Sequence, residues 1–171
     1  MIEAALAASA AMEAWLPGRL FHIGVVARDI DAAMTGLGRE LGCGWRGGAP
    51  LRMTVCMNGS DREMSMRIAH SIDGPPHIEL IEARPDSPWQ VQKAIEVHHL
   101  CYWSQDALAA CARVEQAGYK RILGRPGAPT GYFRNEAGQY LEIIDTALHD
   151  RLTGWIGGHR ASTAVEKAAE E

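Results

Sequence analysis

Apolar and polar residues alternate in two neighbouring stretches of the first half of the chain. Residues 51–57 carry Leu, Met, Val and Met at every second position, and residues 64–68 carry Met, Met and Ile in the same way. A period of two is typical of a β-strand with one buried face. Asn58-Gly59 lies between the stretches and is a dipeptide strongly favoured in two-residue hairpin turns. The pattern therefore predicts a β-hairpin.

The chain also contains an internal repeat. The segment HIGVVARD at residues 22–29 corresponds to HLCYWSQD at residues 99–106, with an offset of 77 residues. Each segment is a short apolar run that ends at an aspartate able to cap a following helix. We therefore expect a strand, a cap and a helix in both halves. The predicted buried helix faces contain Ala33, Leu37 and Leu41 in the first half and Leu108, Cys111 and Ala112 in the second.

Both halves predict the same order of elements. Residues 77–82 follow a Gly-Pro-Pro break and complete the first half, and three short strands, 119–124, 130–134 and 139–145, complete the second. Each half is therefore a βαβββ module. We predict an α+β fold in which two tandem modules form a cupped, barrel-like mixed sheet. The predicted divisions are a helical extension at 1–17, modules at 18–84 and 96–146, a linker with a short helix-like run at 85–95, and a partly flexible C-terminal extension at 147–171.

Composition narrows the class of protein. Acidic residues outnumber basic residues by 21 to 17, giving a formal charge of −4, which does not favour a nucleic-acid partner. Hydrophobic residues make up 47% and charged residues 22%, as in a globular protein with a buried core. No uncharged apolar run approaches the roughly 18 residues that a membrane-spanning helix needs. We expect a soluble protein with no membrane partner.

The N-terminal stretch and the cysteines bear on localisation. Residues 4–15 are rich in alanine, but Glu3 and Glu13 stand where a signal peptide would have a basic start and an unbroken apolar core. A helix is the better prediction for this stretch. Without a signal peptide, and with no CxxC spacing, the cysteines give little support to a disulfide framework. These features predict a cytoplasmic protein with four free thiols, Cys43, Cys56, Cys101 and Cys111.

Four residues capable of binding a metal ion recur with the modules. His22 and His99 are equivalent in the repeat, while Glu79 and Glu142 each lie in the last strand of a module. Carboxylates within otherwise apolar strands are costly to bury unless they are paired or bind a metal. If the two modules curl around one cavity, all four side chains can converge on Fe, Mn, Co, Ni or Zn. The predicted centre is therefore one divalent ion with two histidine and two glutamate ligands.

Four short motifs in this order resemble the vicinal oxygen chelate superfamily. The motifs are LFHIGVV at 20–26, HIELIE at 77–82, VHHLCYW at 97–103 and NEAGQYLE at 135–142. In the last motif a glycine precedes Glu142 by four residues, as in the ending typical of the family. The resemblance covers about residues 20–145. The superfamily includes glyoxalase I, methylmalonyl-CoA epimerase, extradiol dioxygenases and proteins that confer resistance to bleomycin or fosfomycin.

The resemblance implies a site and a chemistry. It places metal ligands at His22, Glu79, His99 and Glu142, a set similar to that of bacterial glyoxalase I and several epimerases. It implies an isomerase or epimerase in which the metal acts as Lewis acid on a carbonyl or hydroxycarbonyl substrate and stabilises an enolate. Glu142 is the expected base, and Glu79 or His77 would return the proton. No motif for glutathione or for a nucleotide identifies the substrate.

Other functions remain open at this point. An extradiol-type dioxygenase would bind Fe(II) through His22, His99 and Glu142 while Glu79 stands off the metal. A metal-dependent lyase would begin with the same proton abstraction. A resistance-type binder would hold a flat drug between the sheets and would have no need of metal ligands. Oxygen consumption with a catechol would distinguish the dioxygenase from a redox-neutral isomerase.

The sequence gives less information about the residues next to the four candidate ligands. Strict alternation places His98 on the opposite face of the strand from His99 and places His77 on the same face as Glu79. His77 is then either an acid–base group or a hydrogen-bonded histidine at the rim. Three further residues either line the cavity or belong to the core: Cys101, Trp103 and Tyr140.

Oligomerisation is a further prediction. The edges of an open, cupped sheet need to be covered, and proteins that resemble this family are commonly dimers. We therefore expect a homodimer, with the N-terminal helix, Trp15 or Trp155 as candidate contacts.

Overall fold

The computed structural model describes residues 15–16 and 18–158. Most of the predicted N-terminal helix, and the C-terminal extension beyond residue 158, lie outside the described residues. The first module contains β1 (Gly18–Ala27), α1 (Ile30–Leu41), β2 (Trp45–Met57), β3 (Ser60–Ser71) and β4 (His77–Glu82). The second contains β5 (Ile95–Ser104), α2 (Ala107–Gln116), β6 (Lys120–Gly124), β7 (Gly131–Arg134) and β8 (Tyr140–Asp145). A 3₁₀ turn (Thr146–Leu148) and α3 (His149–Ile156) follow the second module.

The eight strands form a closed barrel in the order β1-β4-β3-β2-β6-β7-β8-β5. β1 is parallel to β4 and β5 is parallel to β8, so the two modules repeat the same local pairing. The modules meet at two seams. β1 and β5 pair antiparallel along their whole length, whereas β2 and β6 pair through Cys56 with Gly124 and Met57 with Leu123. The predicted α+β class and barrel-like mixed sheet are confirmed.

Closure of the barrel removes the reason for which a dimer was expected. The described strands leave no open edge to cover, because each one pairs on both sides. The homodimer therefore stays a prediction without that support. Within the described ranges, no helix combines the length and the apolar character that crossing a bilayer requires.

Local sequence signals account for the turns that were predicted. Asp29 caps α1 by accepting a hydrogen bond from the backbone N–H of Ala32 at 3.0 Å, and Asp106 caps α2 in the same way through Ala109 at 2.9 Å. Asn58 and Gly59 have φ values of 50° and 81°, as a type I′ hairpin turn requires. Both helix caps and the hairpin are confirmed.

The predicted helix faces were partly wrong. Leu41 and Leu108 are 49% and 69% exposed, and Ala112 is also exposed. The buried face of α2 instead consists of Ala107, Ala110, Cys111 and Val114. These positions follow the i, i+3, i+4, i+7 spacing of a helix, and their small side chains allow the helix to pack closely on the sheet. The physical reason for the error is that close packing here favours small residues over the larger Leu108.

Two apolar clusters lie on either side of the predicted site. The first is drawn from strands around the barrel and includes Tyr132 and Trp89, which is 2% exposed. The predicted helix-like run in the linker is wrong, because the linker forms turns and bends that direct Trp89 into this cluster. The second cluster joins Phe21 to Ile156 of α3. The ring centroid of His99 lies 4.8 Å from that of Tyr132, and the His22 and Phe21 centroids are 5.0 Å apart.

Candidate metal centre

Four consecutive strands of the barrel, β4-β1-β5-β8, carry the four predicted ligands. Gly24 of β1 is the register partner of both Glu79 on β4 and His99 on β5, and Cys101 of β5 is the partner of Glu142 on β8. Side chains at alternate positions share a face, so His22, two residues before Gly24, lies on the same face as the partners of Gly24. All four side chains come from one chain.

The ligand atoms converge on one point. The Nε2 atoms of His22 and His99 are 3.2 Å apart. His22 Nε2 lies 3.3 Å from Glu79 Oε2 and 3.1 Å from Glu142 Oε2, and His99 Nε2 lies 3.4 Å from each of the same two oxygens. Nitrogen and oxygen ligands roughly 2.0–2.2 Å from a shared Zn²⁺ in a tetrahedral site would be about 3.3–3.6 Å from one another. The observed separations of 3.1–3.4 Å are close to this range and fit a small divalent ion.

The hydrogen bonding of the two carboxylates points to the same conclusion. Glu79 Oε2 and Glu142 Oε2 are buried and have no hydrogen-bond partner among the residues that the structure describes. Burial of a carboxylate is costly, and here the compensation is ion pairing with the two imidazoles at 3.1–3.4 Å. A cation held between these oxygens and the two imidazoles would satisfy both of them. The imidazole and carboxylate set suits Zn, Fe, Mn, Co or Ni.

Each of the four buried groups changes the pKa of its neighbours. Burial alone would lower the pKa of His22, but attraction to Glu79 and contact with Glu142 outweigh it and raise that pKa to about 10. Burial would raise the pKa of Glu142, but contact with His22 and His99 lowers it to about 2. Burial would likewise lower the pKa of His99, but contact with Glu142 and Glu79 raises it above its ordinary value. A divalent cation that displaced one proton from each imidazole would leave the net charge of the buried cluster unchanged.

Gly24 provides the space that the His99 ring occupies. A Cβ atom at this position would overlap the Cε1, Nδ1 and Nε2 atoms of His99. The ring therefore packs directly on the backbone of β1, which brings Nε2 toward the other three ligand atoms. Sequence analysis missed this role, because a glycine inside an apolar strand is a weak signal for close approach of a particular side chain.

His70 is a second residue that sequence analysis missed. It is the register partner of Glu79, and its Nε2 lies 3.4 Å from Glu79 Oε1, the oxygen that does not face the other ligands. Burial has the largest effect on the pKa of His70 and lowers it to about 4. Glu79 therefore lies between the ligand cluster on one side and a buried histidine on the other. His70 has no counterpart in the repeat, so the alignment of the two modules gave no signal for it.

His77 lies near the cluster but outside it. Its Nδ1 donates a hydrogen bond to the carbonyl oxygen of Ser71 at 2.8 Å, and its ring packs against Phe21 at 5.4 Å between centroids. This leaves Nε2 as the nitrogen available for proton transfer. The role of His77 as an acid–base group stays a prediction.

Three residues were predicted either to line the cavity or to belong to the core, and the structure places them differently. Cys101 is fully buried, and burial, followed by the charge of Glu142, raises the pKa of its thiol well above the ordinary value. Trp103 is 6% exposed and belongs to the cluster of Phe21 and Ile156. Tyr140 instead borders a cavity of about 450 Å³, whose lining also includes Met57 and Ile122.

The expectation that His98 faces away from His99 was wrong, because the two rings are in contact. Gly24 pairs with His99, but Val25 pairs with Val97, so His98 is the extra residue of a β-bulge. Bulges break the alternation of side chains and re-aim one of them. The Nδ1 atoms of His98 and His99 consequently lie 3.1 Å apart.

A barrel of two βαβββ modules, with two histidines and two glutamates converging inside it, defines a class of protein that can hold one divalent ion. The family model described as the Glyoxalase/Bleomycin resistance protein/Dioxygenase superfamily matches residues 21–134. The chain belongs to this superfamily. The matched range contains His22, Glu79 and His99 and ends before Glu142.

Several solved structures are similar to this chain at low sequence identity. Methylmalonyl-CoA epimerase from Mycobacterium tuberculosis is 18% identical over 77% of this chain and 89% of that chain, with a TM-score of 0.48. A variant of the Streptomyces coelicolor epimerase in complex with 2-nitronate-propionyl-CoA is 19% identical over 74% of this chain and 93% of that chain, with a TM-score of 0.50. A hypothetical protein from Bacillus halodurans is 18% identical over 75% and 94%, with a TM-score of 0.48. Comparison with curated protein sequences gave no match.

Proposed function

We propose that this protein is a metal-dependent isomerase or epimerase that acts on a carbonyl or hydroxycarbonyl small molecule. The observation that carries the proposal is the convergence of two imidazole nitrogens with two buried carboxylate oxygens that have no hydrogen-bond partner among the described residues. When bound, a divalent ion would supply Lewis-acid stabilisation of negative charge on the substrate oxygen. At 17–19% identity the epimerase structures support the fold and do not identify the substrate.

The four residues differ in exposure and in their contacts, which supports different roles for them. The side chain of Glu142 is 12% exposed, compared with 8% for Glu79 and 3% or less for the two histidines. The other carboxylate oxygen of Glu79, Oε1, also contacts His70 Nε2 at 3.4 Å. Glu142 is therefore the carboxylate best placed to reach a substrate, and we assign it to removal of the proton from the carbon next to the carbonyl. Glu79 or His77 would return a proton, to the same carbon in epimerisation or to its neighbour in isomerisation.

The position of Glu79 bears on the dioxygenase alternative. A facial triad would need His22, His99 and Glu142, with Glu79 away from the ion. In the structure Glu79 Oε2 lies 3.3–3.4 Å from both Nε2 atoms, which supports a set of four ligands. A fourth protein ligand leaves less room for oxygen beside a substrate. We therefore favour proton transfer over oxygen chemistry.

The first experiment measures metal content by plasma mass spectrometry. Wild type purified without chelator is compared with His99→Ala and Glu142→Ala, and each is also reconstituted separately with Fe, Mn, Co, Ni and Zn. We expect close to one ion per chain in the wild type and loss of this ion in both variants. The proposal is contradicted by a wild type that binds none of the five ions, and it is replaced by the dioxygenase if the iron form consumes oxygen with catechol.

Metal binding is also expected to stabilise the fold. An ion at 1,000 times its dissociation constant adds about 4 kcal/mol to the free energy of unfolding. For a chain of this size that corresponds to a rise in Tm of roughly 8–16 °C. Calorimetry with and without zinc checks the shift, with His99→Ala as the variant that should show little change. Equal shifts in both proteins would indicate that zinc binds elsewhere.

A further inference from the structure

His98 occupies a position that only the bulge in β5 makes possible. It is the residue skipped between the register pairs of Gly24 with His99 and Val25 with Val97. Its ring stacks on Tyr140, with centroids 4.1 Å apart and planes 24° apart. The guanidinium carbon of Arg134 lies 5.4 Å from the centre of the Tyr140 ring, on the ring face. The His98 ring is therefore held in a defined orientation beside a metal ligand.

The hydrogen bonds of this ring fix where its proton lies. His98 Nε2 is 2.9 Å from the carbonyl oxygen of Pro88. A carbonyl oxygen can only accept, so Nε2 carries the hydrogen and donates it. In the neutral ring the other nitrogen, Nδ1, then holds a lone pair. This lone pair faces His99 Nδ1 at 3.1 Å.

Metal binding by His99 leads to the same position for the hydrogen between the two Nδ1 atoms. For His99 to bind a metal ion through Nε2, that nitrogen must offer its lone pair and Nδ1 must carry the hydrogen. One hydrogen between the two Nδ1 atoms satisfies both rings. Pro88 therefore sets the tautomer of His98, and His98 sets the tautomer of His99. His22 differs, because its Nδ1 has no hydrogen-bond partner within the described part of the chain.

We propose that His98 is a positioning residue that fixes the tautomer and ring orientation of the metal ligand His99. This inference rests on the proposed function, since it concerns the ion that His99 would bind. A partner on the second ring nitrogen orients a metal-binding histidine and increases its basicity as a ligand. The backbone carbonyl of Pro88, in the linker, thereby helps to orient the rings of the site.

The direct test is a two-bond ¹H–¹⁵N NMR spectrum of the zinc-loaded wild-type protein, labelled at histidine. We expect His98 to carry its hydrogen on Nε2 and His99 to carry its hydrogen on Nδ1. A hydrogen on His98 Nδ1, whether in the other neutral tautomer or in a charged ring, would overturn the inference. This measurement needs no variant and does not depend on enzymatic activity.

Two substitutions separate hydrogen bonding from packing. His98→Phe keeps a ring against Tyr140 but removes both nitrogens, and we expect its affinity for zinc to fall about 10- to 100-fold. His98→Asn supplies an amide oxygen that can accept from His99, and we expect partial recovery. His149→Phe is the matched control, because His149 is half exposed, its side chain pairs with Asp150, and a phenyl ring can keep its contact with the Trp103 ring. It should bind zinc as the wild type does.

The outcomes distinguish this inference from the proposed function. If the wild type binds no zinc, the proposed function fails. If the wild type binds zinc and His98→Phe binds it equally well, the positioning role of His98 fails while the metal site stands. If His98→Phe does not fold, as thermal unfolding of the metal-free variant would show, the tautomers of the wild type decide the question.

Discussion

Gly24→Ala is expected to lower metal affinity by roughly 100-fold or more, while the barrel still folds. The added methyl group would occupy the space of three His99 ring atoms. Because backbone pairs on both sides hold β1, the ring must move rather than the strand, and Nε2 leaves the cluster. The measurements are metal content after reconstitution and isothermal titration with zinc. We expect a loss of stability of about 1–3 kcal/mol from overpacking.

Gly36→Ala is the matched control for this substitution. Gly36 lies inside α1, and a Cβ atom there would meet no heavy atom within 4 Å beyond its own chain neighbours and the nearby backbone of the helix, among the residues that the structure describes. Alanine is favoured over glycine in a helix, so we expect a gain in stability of about 0.5–1 kcal/mol and unchanged metal binding. A Gly24→Ala protein that binds zinc with wild-type affinity would show that His99 does not occupy the described position in the loaded protein.

Glu142→Gln is expected to reduce the rate of proton transfer by about 10²- to 10⁴-fold, the usual contribution of a positioned general base. The amide keeps the shape of the side chain and can still offer an oxygen ligand, but it cannot accept the proton. Solvent deuterium incorporation into hydroxycarbonyl probes such as dihydroxyacetone, followed by mass spectrometry, measures the step directly. The comparison is made at metal concentrations that saturate both proteins, so that weaker binding does not imitate a chemical defect.

A second glutamate provides the control for Glu142→Gln. Glu136 is exposed in the turn before β8, and Glu136→Gln should exchange deuterium at the wild-type rate. If Glu142→Gln retains more than about a tenth of the wild-type rate at full metal occupancy, the base is another group. Glu79 and His77 would then be tested in the same assay.

Local signals and the repeat between modules were enough to predict the fold class and the four candidate ligands. Aspartates at helix starts and Asn58-Gly59 act within a few residues, so their effects are visible in the sequence. His22 and His99 could be aligned because each module begins with the same strand. Pairing of equivalent strands then brings the repeated residues together across the β1 and β5 seam.

Other features depend on register and packing, which short sequence patterns do not contain. The bulge at His98 depends on how β5 pairs with β1, and alternation alone predicts the opposite face. The contact of His70 with Glu79 depends on which residues of β3 and β4 are partners. The burial of Trp89 depends on the path of the linker, whose polar, proline-containing sequence shows no periodicity. These positions are set by tertiary structure.

The two seams of the barrel differ greatly in the number of paired residues. The strands β4, β1, β5 and β8 are neighbours, so all four candidate ligands lie around the long seam. On the opposite side the wall is closed by the short pairing of Cys56 with Gly124 and Met57 with Leu123, and Met57 and Ile122 border the 450 Å³ cavity there. Separation at this short seam would break little hydrogen bonding and would leave each ligand strand paired. The four candidate ligands therefore lie on the more extensively paired half of the barrel, and the cavity lies beside the less extensively paired seam.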